Sequence, residues 1–179
     1  MTLERDASDV RALLDELRAA RTEFLAALDD VDPALLTTPG LVGDWSAREL
    51  LAHLGYWAGH AAEAVHHATQ GRLHEFGADE LDVDQRNAIV ARVAAETDMA
   101  TVRRREAAAY QALVDGLETL DPAWLEERSS YGDSLETIVR DDGTDHYREH
   151  TLDLRAWFSG SDAGATDDED ADVEDVDQA

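Results

Sequence analysis

Apolar residues in the first thirty positions recur at intervals of three and four: Val10, Leu13, Leu14, Leu17, Phe24, Leu25 and Leu28. This spacing gathers them on one face of a helix and leaves Arg11, Glu16, Arg18 and Glu23 on the other. Asp32-Pro33 and Pro39-Gly40 close the segment, since proline cannot donate the amide a helix requires. A second stripe runs through Leu50, Leu51, Leu54, Trp57, Ala58, Ala61, Ala64 and Val65. Ser46, with Glu49 three residues later, has the pattern of a capping box at its start, and Gly71 is its expected stop. Residues 72–81 read as a loop.

A third segment starts near Asp82 and reaches about Leu120. Ile89, Val90 and Val93 are its first apolar residues; Tyr110, Leu113, Val114, Leu117 and Leu120 continue the core face. Thr97-Asp98 reads as a fresh N-cap in the middle, so two helices, or one with a break, are expected. Asp121-Pro122 ends it. The last segment carries Leu135, Ile138 and Val139, then Tyr147, Leu152, Leu154, Trp157 and Phe158, with Gly143 marking a kink or a junction between helices. No alternating strand pattern competes with these stripes. The predicted fold is all-α: an antiparallel four-helix bundle with a broken third helix over residues 1–160, then a disordered acidic tail over 161–179.

Charge narrows the partners. The 179 residues carry a net charge of −26, and nine acids with no base lie between Ser161 and Ala179. Without that tail, 32 acids still face 15 bases, a body at −17. Nucleic-acid binding relies on Lys and Arg displacing counterions from phosphates, so neither a nucleic acid nor an anionic membrane is an expected partner. Every one of the 15 bases is Arg, a bias that fits a GC-rich genome and, with the acidity, adaptation to high salt. The start of the chain is charged and lacks the apolar stretch of a signal peptide. The run from Leu50 to Ala62, free of Asp, Glu and Arg, falls well short of the about 20 residues a membrane span needs. A cytoplasmic location is expected.

Chemistry is limited by the absence of cysteine. Disulfides, zinc–thiolate sites and a catalytic thiol of the protein's own are excluded, so a metal must be held by imidazole and carboxylate. His146-x-x-x-His150 places two imidazoles one turn apart on one helix face, a chelating geometry. A third ligand has to come from another helix. His53, inside the apolar stripe of the second helix, is the best candidate, and His60, seven residues later on the same face, is its rival. An inward histidine is also commonly a hydrogen-bonded core residue, and a pair four apart is commonly a solvated face. His66, His67 and His74 read as surface residues. Three imidazoles without a fourth protein ligand leave a coordination position open, as in catalytic sites.

These same residues carry a family resemblance. Asp44-Trp45-Ser46 leading into Glu49-Leu50-Leu51-Ala52-His53-Leu54, with Trp57 one turn on, resembles the second-helix signature of the DinB superfamily. His146-Tyr147-Arg148-Glu149-His150, followed by Asp153 and Trp157, resembles that family's last-helix motif, and Asp84 with Asn87 its start to helix three. The match spans about residues 8–158. The resemblance implies a four-helix bundle, often dimeric, in which three histidines bind a divalent metal; by position these are His53, His146 and His150. Relatives include thiol transferases using mycothiol or bacillithiol, maleylpyruvate isomerases that use such a thiol, and a branch protecting against a genotoxin.

The resulting expectation is a homodimeric metal-dependent transferase that joins a low-molecular-weight thiol cofactor to a small electrophilic substrate. The alternatives are a metal-assisted hydrolase or protective enzyme, and a non-catalytic binding protein. Zinc, nickel, iron or copper suits three imidazoles. Asp84 and Asn87 are candidates for orienting a substrate. Trp45, Trp57 and Tyr147 are candidates for the pocket wall, although aromatics at helical spacing are usually core. Glu49 is expected to serve the capping box, and Asp145, Arg148 and Glu149 to be exposed.

Overall fold

The computed structural model describes residues 5–77 and 81–164. The expected helices form, and local signals explain their ends. Helix α1 (Ala7–Asp29) is capped by Asp6, whose carboxylate accepts from Ser8 N while Asp9 reaches back to the cap. Helix α2 (Ala47–Thr69) starts at Ser46: its amide donates to Glu49 Oε2 at 2.8 Å and its hydroxyl accepts from Arg48 N. Burial acts to raise Glu49, but the hydrogen bonds from Ser46 and Arg48 outweigh it and hold the carboxyl below its ordinary range. Glu49 thus serves the cap, as expected. Gly71 follows the C-cap with φ +68°, a left-handed conformation that glycine adopts without strain. Of the expected loop over 72–81, Leu73–Glu75 forms a 3-10 turn, and residues 78–80 lie outside the described residues.

The break at Thr97-Asp98 is a reversal of the chain. Asp82 caps α3 (Val83–Ala95) and Asp98 caps α4 (Met99–Glu118). The start of α3 shares a cavity with His60 of α2, and its end shares another with Ala52, so α3 runs antiparallel to α2. Helix α4 then runs parallel to α2: Gly55 lies against Glu106, Gly59 against Ala109 and Val65 against Gly116. A Cβ on Gly55 would sit 2.9 Å from Glu106 Cα, so the two backbones approach as closely as a missing side chain allows. Because α3 lies outside the bundle, Ile89 and Val93 remain 42% and 49% exposed, and only Ala94 of that helix is buried. Apolar periodicity alone did not distinguish this outer face from a core face. Leu152, 66% exposed, departs from the expected core stripe.

The last segment begins at Ser134, whose hydroxyl caps α5 (Leu135–Val139). A π-turn over Arg140–Thr144 carries the chain into α6 (Asp145–Gly164) without a stop. Gly143, expected at a kink or junction, sits in that π-turn. The backbone of α6 continues into the segment expected as tail; the rest of that segment lies outside the described residues. Four long helices, α1, α2, α4 and α6, enclose the core, in which Leu17, Phe24, Leu50, Leu54, Leu113, Leu117 and Tyr147 are fully buried. Among the described residues there is no strand, and no helix is long and apolar enough to cross a membrane.

One buried polar network ties three of the helices together. Arg21 of α1 donates through Nε and Nη2 to the two carboxylate oxygens of Glu106 on α4, at 2.6 and 2.8 Å. Tyr147 of α6 donates its hydroxyl to Glu106 Oε1 at 2.6 Å. Arg21 also lies 4.2 Å over the Tyr110 ring, a cation–π contact.

Candidate metal centre

Helices α2 and α6 pass each other in opposite directions, which brings the middle of α2 beside the first turns of α6. His53, His146 and His150 meet there, one ring nitrogen from each lying within 4.8 Å of the others. His53 Nε2 and His146 Nε2 are 2.8 Å apart. His53 and His150 are buried and His146 half-buried. Burial pushes His53 down to about 3, with the neighbouring His146 and His150 adding to the effect. Burial likewise brings His146 down to about 4, again with help from His150. At neutral pH both rings are therefore unprotonated, the state in which a nitrogen lone pair can bind a cation.

The donors fit a divalent ion. The Nε2 atoms of His53 and His146 face each other at 2.8 Å, so between two neutral rings only one can donate, whereas a cation would take a lone pair from both. His150 is oriented differently: its Nδ1 pairs with Asp153 Oδ2 at 2.8 Å, which leaves Nε2 for the site. A carboxylate on the far nitrogen fixes a ligand's tautomer and raises its basicity. Asp153 stands three residues after His150, a spacing that places both on one helix face and is the signal of this role in the sequence. Asp153→Asn is expected to weaken zinc binding about 10- to 100-fold while leaving the helical circular dichroism unchanged. Competition titration against a chromogenic chelator measures this, and equal affinity would rule the orienting role out.

Aromatic rings form part of the wall. Trp45 lies 5.0 Å, centroid to centroid, from His53, and Trp57 lies 6.3 and 6.4 Å from His53 and His146. Trp57 Nε1 donates to Asn87 Oδ1 at 3.0 Å, so Asn87 fixes the indole from α3. Asp84 is exposed in the first turn of α3. Tyr147 does not line the pocket: it is fully buried, its ring packs on Phe24 and its hydroxyl is held by Glu106. One step along a helix from His146 turns its ring by about 100°, into the core. His60, the rival third ligand, is engaged elsewhere, its Nδ1 2.7 Å from Asp142 Oδ2. Asp145 and Glu149 are exposed, as expected.

The depressed values have a consequence for stability. Unfolded, each ring titrates near 6.5; folded, His53 and His146 titrate near 3 and 4. The unfolded chain therefore takes up protons first as pH falls. Stability is fully present above pH 6.5 and is lost through the interval down toward 3, on the order of a few kcal/mol for the metal-free protein. Urea midpoints of the metal-free chain at pH 7.5 and 5 are expected to differ accordingly. Identical midpoints would contradict the burial of these rings.

The sequence profile of the DinB superfamily matches residues 8–152. The chain belongs to the DinB superfamily. No curated protein matches it in sequence. Among solved structures, this DinB protein is similar to a mycothiol-dependent maleylpyruvate isomerase, with a TM-score of 0.67 and 19% identity over 81% of its own length and 60% of the isomerase. It is also similar to the colibactin self-resistance protein ClbS, solved in complex with a dsDNA, with a TM-score of 0.69 and 14% identity over 84% and 95% of the two chains. A protein from Streptococcus pneumoniae gives a TM-score of 0.67 at 12% identity, over 89% and 93%. At such identities the likeness is one of fold.

Proposed function

We propose that this DinB protein holds one divalent ion on His53, His146 and His150 and acts as a transferase that joins a low-molecular-weight thiol to a small electrophilic substrate. The observation that carries the reading is the convergence of three imidazoles, His53 and His146 among them held unprotonated by burial, in a chain without a cysteine. Zinc, nickel or iron suits this donor set. Bound there, a divalent ion supplies Lewis acidity that favours deprotonation of a weakly acidic donor such as a thiol. The remaining work belongs to the side chains. Asp153 holds the His150 ring, Asn87 holds Trp57, and the Trp45 and Trp57 faces exclude water from one side of the site. With no cysteine in the chain, the nucleophilic sulfur must arrive on a cofactor; similarity to a mycothiol-dependent enzyme supports this.

The acting unit in this reading is residues 1–160, working in the cytoplasm as a homodimer, with 161–179 as a solvating acidic tail. The complex of ClbS with dsDNA runs against an expectation of no nucleic-acid partner. For this chain the net charge of −26 is the ground for retaining that expectation. Likeness to a self-resistance protein favours a second reading, in which water rather than a thiol attacks the substrate or the protein protects by sequestering a toxic compound.

The test combines the zinc-loaded protein with a panel of electrophiles, with and without added thiol. The transferase reading expects thiol consumption over many turnovers and none in the His53→Ala variant. Full turnover without thiol favours hydrolysis. Protection that stops at one equivalent favours sequestration.

A further inference from the structure

The ligands on α6 follow directly on a π-turn. In an uninterrupted helix starting at Leu135, the stripe Leu135, Ile138 and Val139 would continue through positions 142, 146 and 150 at the usual spacing. The fully buried stripe instead continues through Gly143, Thr144, Tyr147, Thr151 and Leu154, with His150 buried and His146 half-buried along its edge. The π-turn accommodates one extra residue, which rotates everything after it by about 100°. That rotation sends Tyr147 into the core, leaves Leu152 outside, and sets His146 and His150 at the edge of the stripe.

Three contacts hold the π-turn. Arg140 donates to Glu16 of α1 at 2.8 Å. Gly143 packs so tightly on α1 that a Cβ there would lie 3.1 Å from Leu17 Cδ1. On the side facing the ligands, Asp142 Oδ2 meets His60 Nδ1 at 2.7 Å, with both side chains largely buried, 15% and 13% exposed. His60 lies two turns from His53 on α2, and Asp142 one turn before His146. The pair is therefore a second bridge between the two helices that carry the ligands.

We propose that His60 and Asp142 are positioning residues: their bond pins the π-turn to α2 and so sets the register in which His146 and His150 meet His53. The inference rests on the metal-binding reading for its affinity effects, but the pinning itself is a property of the metal-free chain.

The experiment has two arms on the full chain. Zinc affinity, by chelator competition, is expected to fall about tenfold in His60→Ala and in Asp142→Ala, with one ion still bound at saturation. The double variant is expected to fall no further than the singles, because both remove one interaction. Asp142→Asn, which keeps an acceptor for His60, is expected to stay within about threefold of wild type. In the second arm, amide exchange in the metal-free His60→Ala protein is expected to accelerate at residues 143–147 while α1 stays as protected as in wild type. Unchanged exchange at the π-turn overturns the proposal, as does an affinity loss in the double variant equal to the product of the singles. If the wild type binds no zinc, the metal reading fails, and the exchange arm still decides whether the pair pins the turn.

Discussion

His146→Ala is expected to lower bound zinc from one ion per chain to none after purification and dialysis, with the helical circular dichroism retained. The size of the effect follows from the donor set. Three imidazoles converge, so deleting one leaves two ligands that are seldom enough for a tight site. The fold survives because His146 is half-buried at the edge of the core while its neighbour Tyr147 keeps α6 anchored. His66→Ala, an exposed change on the same helix as His53, is the matched control and is expected to retain the full ion. Elemental analysis reads both. Equal zinc in wild type and His146→Ala would remove this histidine from the site.

Glu106→Ala is expected to be the most destabilising single change outside the metal centre. Glu106 is 2% exposed and accepts from Arg21 twice and from Tyr147 once. Alanine would leave a guanidinium that is mostly buried, and a fully buried hydroxyl, without the carboxylate they both donate to. Breaking a buried pair from one side costs about 3–5 kcal/mol. For a chain of this size that corresponds to a fall in Tm on the order of 10 °C. Because Tyr147 adjoins His146, zinc affinity is expected to fall as well. A thermal midpoint within about 2 °C of wild type would show that the network contributes little.

The fold was legible where local chemistry and periodicity agree. Ser46 with Glu49, Asp82 and Asp98 each mark a helix start that the structure keeps, because a cap is decided by residues three apart. The reversal between α3 and α4 was not legible. A cap at Asp98 announces a new helix but not its direction, and Ile89 and Val93 look like core residues until α3 is seen to lie outside the bundle. The π-turn was equally hidden. Gly143 signalled an irregularity, but the extra residue is fixed by tertiary packing against Leu17 and by the His60–Asp142 bond, both distant in sequence.

The meeting of the three histidines was readable because two sit four apart on one helix and the third lies in an apolar stripe. Which of His53 and His60 joins the pair could not be read from spacing, since both occupy one face of α2. Depth along the helix settles their geometry: His53 lies level with the start of α6, whereas His60 lies level with the π-turn. Tyr147 misled for a related reason. Its neighbour faces the site, but a one-residue step on a helix changes the face entirely.

X-ray absorption at the zinc edge of the loaded protein tests the central claim most directly. Three imidazole nitrogens at about 2.0–2.1 Å, with one further light donor, are the expected first shell. A shell dominated by carboxylate and water oxygens, with no imidazole scattering, would contradict it.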